Sequence, residues 1–164
     1  MPIPVITFIG KSRAGKTTLL VSLIGELRRR GYRVATLKHH SHRGFDIDIP
    51  GKDSWRFAQA GSDQVIIAAP DKIASYRNLE RELTLDELTA EISGVDIILA
   101  EGYKQAAKPT IEVSRAANSR ELISEPEQRI AIVADYPLDL PVQQFHPEDV
   151  GSVADLIERK YLAR

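Results

Sequence analysis

The residues with the clearest chemical potential stand together near the amino terminus: Gly10-Lys11-Ser12-Arg13-Ala14-Gly15-Lys16-Thr17. Two glycines separated by four residues and followed by Lys-Thr form a phosphate-binding loop pattern. Glycine lets backbone amides turn inward around an anion with no Cβ in the way. Lys16 is suited to the β- and γ-phosphates of a nucleoside triphosphate. Thr17 carries a hydroxyl suited to Mg²⁺, and Thr18 completes the group. Lys11 and Arg13 can touch phosphate, reach the nucleotide of another subunit, or stay solvated.

That chemistry needs a buried strand before the loop and a helix after it. Val5–Ile9 is a continuous apolar, β-branched run, as a strand covered on both faces is. Leu19, Leu20, Leu23, Ile24 and Leu27 then recur at helical spacing, with arginines in the last turn and Gly31 as a stop. The helix points its positive end at the anion. Further strands are expected at 34–37, 64–69, 72–76, 95–100, 110–113 and 130–134. A capping box at Thr84–Glu87 opens a helix to about residue 93, and an amphipathic helix spans 147–161. Pro70-Asp71 joins two strands, and 38–51 is a long irregular loop. The alternation predicts an α/β fold of the P-loop NTPase kind, a doubly wound, mostly parallel sheet with helices on both faces, as a single domain over 1–164.

Ligands in such sheets gather beyond the carboxyl ends of the strands. Glu101, after the strand at 95–100, is the candidate to hold a Mg²⁺-bound water or orient an attacking one, its alternative being a surface acid beside a turn. Asp96 starts the same strand and reads as structural. In Gly51-Lys52-Asp53-Ser54, Lys52 can meet a phosphate, and Asp53 can complete a metal shell, position water or merely cap the next helix. Asp46 and Asp48 flank the same loop. His39, His40 and His42 form a small cluster; His39 reads as a contact to phosphate or another anionic substrate, or as an exposed loop histidine. Asp135 ends a strand and can accept hydrogen bonds from guanine, or can simply start a turn. No Asn/Thr-Lys-x-Asp guanine signature is present, and no Gln or Arg is clearly placed as a dedicated catalytic residue.

Five segments carry a family resemblance: FIGKSRAGKTTLL at 8–20, LKHHSHRGFDIDIPGKDSWRFAQAG at 37–61, VDIILAEGYK at 95–104, PTIEVSR at 109–115 and IAIVAD at 130–135. Together they resemble the MobB family of molybdopterin-guanine dinucleotide biosynthesis adapters over nearly the whole chain. The resemblance implies GTP and Mg²⁺ as ligands and weak GTPase activity. It also implies a homodimer and work beside the guanylyltransferase that attaches GMP to molybdopterin. Arg13 stands where the family usually has a small residue, often glycine. Residues 116–128 match no family motif.

Composition sets the outer bounds. The formal net charge of −1 gives no electrostatic reason to expect nucleic acid or an anionic membrane. Cys is absent, which excludes disulfides, thiolate zinc sites and a cysteine nucleophile. No run is long enough to span a bilayer, and the cytoplasm is the expected compartment. On this reading loop 38–54 closes over a bound triphosphate and turnover is slow. Three rivals stand beside it: a metal-insertion GTPase using the histidines, an ATP-dependent kinase or ligase, and a module in which nucleotide only stabilises the fold.

Overall fold

The computed structural model describes residues 2–40 and 44–162. The strands, in chain order, are β1 (Val5–Ile9), β2 (Val34–Lys38), β3 (Gln64–Ala68), β4 (Ile73–Arg77), β5 (Ile97–Glu101), β6 (Thr110–Ser114), β7 (Arg129–Ala134) and β8 (Gln143–Phe145). The helices are α1 (Lys16–Arg29), α2 (Asp53–Gln59), α3 (Leu85–Ala90) and α4 (Val150–Ile157). The chain divides into two compact units: Met1–His39 with Thr84–Arg164, and the intervening His40–Leu83. No shift in composition marks either boundary.

The first unit is built on six strands in the order β2-β5-β1-β6-β7-β8, all parallel. This is the α/β architecture read from the sequence. Parallel strands buried on both faces must be apolar throughout, and the central ones are: Ile97, Ile98, Leu99 and Ala100 of β5 are each at most 1% exposed. One face packs against Leu19, Leu20, Leu23 and Leu27 of α1 and Val153, Ala154, Leu156 and Ile157 of α4. Full burial of each large aliphatic chain contributes about 1.5–3 kcal/mol. Arg30 bonds Glu26 within the first helical stretch and reaches across to Asp155 and Glu158, at 2.7, 2.6 and 2.8 Å.

The opposite face contains buried polar groups, each with a partner, as burial demands. The Thr7 and Thr110 hydroxyls meet at 2.7 Å. Glu112, 1% exposed, accepts from the backbone amides of Ile123 and Ser124 at 2.6 and 3.2 Å. Arg129 Nε lies 3.2 Å from the same carboxylate. These bonds fasten the irregular segment after β6 to the sheet.

The second unit holds α2 and an antiparallel hairpin, β3–β4, in which Val65 faces Tyr76 and Ala68 faces Ile73. Among its described residues, Val65 alone of the apolar ones is deeply buried.

Several boundaries differ from the sequence reading. The Thr84 capping box is present, yet α3 ends at Ala90. The last helix begins only at Val150, with Asp149 accepting from Ser152 N, and finishes in one π turn, Glu158–Leu162. Asp53 does not cap α2: Lys52 occupies the cap position and makes no side-chain cap bond, while Asp53 sits in the first turn. β8 was not anticipated, because three residues reading Gln-Gln-Phe carry no strand periodicity. No described helix is long and apolar enough to cross a membrane.

Candidate functional site

The candidate phosphate loop, Gly10–Thr17, connects β1 to α1 and follows the central strand of the sheet. Gly10 is required there by contact: a Cβ on it would lie 2.1 Å from the Val113 carbonyl oxygen of β6. Gly15 adopts φ 96°, the left-handed region, and stands at the α1 cap position with no side-chain cap. The amides opening α1 are therefore left without side-chain capping, as an anion site requires.

Around this turn lies a cleft of about 450 Å³ lined by Ser12, Arg13, Gly15, Lys16, Thr17, Thr18, Glu101 and Arg115. The Lys16 ammonium donates to the carbonyls of Gly10 and Lys11 at 2.8 and 2.9 Å, so it is held over the loop. Partial burial lowers its pKa, against the pull of Glu101, while Lys38 pushes in the same direction as burial. The Thr17 hydroxyl donates to Glu101 Oε2 at 3.1 Å. Lys38 Nζ lies 3.8 Å from that oxygen. Strand register accounts for this meeting, since Glu101 pairs with both Phe8 and Lys38. A hydroxyl and a carboxylate oxygen beside this glycine-bounded turn form a hard-oxygen donor set of the kind Mg²⁺ takes.

Other candidates lie at the rim with different contacts. Lys11 Nζ turns to Glu121 at 2.6 Å. Asn118 Nδ2 donates to the Ser12 carbonyl at 2.8 Å. Segment 116–121, which matched no motif, thus grips the loop from outside. His39 packs on Tyr103 with ring centroids 5.0 Å apart, and its Cβ sits 3.0 Å from where a Gly102 Cβ would be. Asp135 follows β7, and its Oδ1 accepts from Ala116 N at 2.8 Å.

The likeness to known proteins agrees with this geometry. Residues 5–135 match the family described as MobB, molybdopterin guanine dinucleotide synthesis protein B. A protein of Haemophilus influenzae named molybdopterin-guanine dinucleotide biosynthesis adapter protein is 37% identical over 158 residues, covering 95% of this chain and 88% of its own. Its Escherichia coli namesake is 37% identical over 161 residues, 94% of this chain and 91% of that one. This chain belongs to the MobB family. The crystal structure of Bacillus subtilis MobB superposes with a TM-score of 0.80 at 25% identity, covering 99% of this chain and all (100%) of that one.

Within this MobB chain, Arg13 has a physical reason to be unusual. Its φ is 62°, so it holds a left-handed conformation that glycine takes without a Cβ penalty. Lys52 and Asp53 belong to the second unit, where both are exposed. Asp48 is a fastening there, taking the Tyr76 hydroxyl at 2.7 Å and its neighbour's amide, Ile49 N, at 2.8 Å. Hydrogen bonds from Ser54 and Tyr76 hold its carboxyl below the usual range. His40 meets Phe45 edge-on at 5.9 Å. His42 lies outside the described residues. Among the described residues no group of three or more His, Asp or Glu converges on a metal position.

Arg115 is the cleft residue that sequence reasoning missed. It closes the PTIEVSR segment, so its position was in view. Its approach to the loop depends on β6 lying next to β1, which linear order does not reveal.

Proposed function

We propose that this MobB chain is a GTP-binding adapter with weak GTPase activity in molybdenum cofactor biosynthesis. In this reading it assists the guanylyltransferase that converts molybdopterin to its guanine dinucleotide form, in the cytoplasm. The observation that carries the reading is the meeting of Thr17 and Glu101 across the start of α1, 3.1 Å apart, beside a loop whose lysine is held over its carbonyls. Family membership supports the pathway.

The residues divide the work. Loop amides from Gly10 to Thr18 cradle the polyphosphate, and Lys16 exchanges its two carbonyl partners for phosphate oxygens. Thr17 would ligate Mg²⁺ directly, with Glu101 holding one of its waters; the ion, when bound, neutralises charge on the phosphates. Glu101 orients the attacking water. Asp135 reads guanine with the carboxylate oxygen not engaged by Ala116. GTP over ATP rests chiefly on the family resemblance.

A homodimer is part of the proposal. Strand alternation puts Ile66 and Ile73 on one face of the β3–β4 hairpin, opposite Val65 and Tyr76. They are 60% and 72% exposed. Large aliphatic groups on a hairpin face outside the packed side suit burial against a second copy.

The test is reconstitution. Guanine dinucleotide formation by the purified guanylyltransferase from molybdopterin and GTP is followed with and without this chain. Stimulation by the wild type and none by a folded Thr17→Ala variant is expected. Equal stimulation by both would remove nucleotide from the adapter role.

A further inference from the structure

We propose that Arg115 is a phosphate-binding residue that grips the nucleoside-proximal end of the polyphosphate. The proposal rests on the reading of the Gly10–Thr17 loop as a nucleotide site. It assigns a second cation to that site and a direction to the ligand.

β1 lies between β5 and β6, so residues closing those neighbours flank the loop on opposite sides. From β5 comes Glu101, bonded to Thr17 on the flank suited to the metal. From β6 comes Arg115. Its guanidinium lies against the loop backbone: a Cβ on Gly15 would be 3.0 Å from Nε and 3.2 Å from Nη2. Nε is buried with no hydrogen-bond partner. A buried, unsatisfied donor is costly, the more so when charged, and a bound anion removes that cost. The planar guanidinium also matches two phosphate oxygens at once, which an ammonium does not.

Direction follows from the neighbours of Arg115. Besides the phosphate cleft it lines a small recess with Thr18 and Ser22 of α1, Val133 and Pro147. That recess lies on the β6–β7 side of the loop, away from β5 and Glu101. A nucleotide with its terminal phosphate and metal toward Glu101 runs its α-phosphate and ribose past Arg115. The contact is therefore with phosphates that GTP and GDP share.

The test compares wild type, Arg115→Gln and Arg115→Lys by calorimetric titration with Mg·GTP and Mg·GDP, with melting of each nucleotide-free protein as the folding control. Loss of one charge-assisted contact predicts that Arg115→Gln weakens both nucleotides by about tenfold, by the same factor. Arg115→Lys recovers part of the loss. A folded Arg115→Gln that binds both like the wild type overturns the proposal, as does a loss confined to GTP. Wild type that binds neither nucleotide sinks the underlying reading instead. Should Arg115→Gln not fold, phenylglyoxal modification of the wild type, mapped by peptide mass, replaces it. Protection of Arg115 by GDP supports the assignment, and an unchanged modification rate overturns it.

Discussion

Gly10 and Lys16 fail for different reasons when changed, and the difference can be measured. At Gly10 a methyl carbon would lie only 2.1 Å from the Val113 carbonyl oxygen, which is sheet backbone and cannot rotate away. Gly10→Ala is expected to lose about 1–3 kcal/mol of stability together with nucleotide affinity, read by denaturant melts and titration. Unchanged stability would mean that the loop approaches β6 less closely than described. Lys16 carries a pKa below its ordinary 10.5, mainly from burial. A bound polyphosphate stabilises the ammonium and raises that value again. Between the lowered and the raised value, binding takes up a proton, and affinity falls as pH rises through this alkaline window. Titration in buffers of different ionisation enthalpy checks the sign; no alkaline uptake would contradict it. The grouping of these residues was legible from sequence because it is local: a turn that excludes Cβ, an ammonium and a hydroxyl at fixed spacing. Arg115 was not, because its role is created by tertiary neighbours.

At the scale of elements, sheet order decides which residues meet. The strands following β2 and β5 were placed by their apolar runs, but no run states that β5 and β6 flank β1. Glu101 was singled out because the end of a central strand is a favoured place for a ligand, and the fold brings it to Thr17. The three-residue β8 escaped because edge strands this short have no readable period. The segment after β6 has no motif, yet the structure ties it to the sheet through Glu112 and to the Gly10–Thr17 loop through Asn118 and Glu121. Arg129→Met tests that tie. It leaves the Glu112 carboxylate buried without its cation, a change that costs about 3–5 kcal/mol. Chemical denaturation is expected to show a loss of that order. A loss below about 1 kcal/mol would mean that amides and Ser124 alone satisfy the carboxylate.

The whole molecule comprises two units of different character. One has a continuous apolar core and the cleft at the Gly10–Thr17 loop. The other, His40–Leu83, keeps Phe45, Ile47, Ile49, Phe57, Ile66 and Ile73 at least 60% exposed. The sequence showed these apolar residues but not their exposure, and it gave no sign of a second unit. Replacing Ile66 and Ile73 together by Glu is expected to shift sedimentation toward the monomer, because two carboxylates cannot be buried unpaired in an apolar contact. An unchanged sedimentation coefficient would contradict the proposed dimer through this hairpin face.

The most direct measurement is a calorimetric titration of the wild type and of Lys16→Ala with GTP, in the presence and absence of Mg²⁺, after melting has shown that both proteins are folded. The account predicts saturable, Mg²⁺-enhanced binding of one nucleotide per chain to the wild type and none to the variant. Equal affinity of the folded Lys16→Ala for GTP would contradict it.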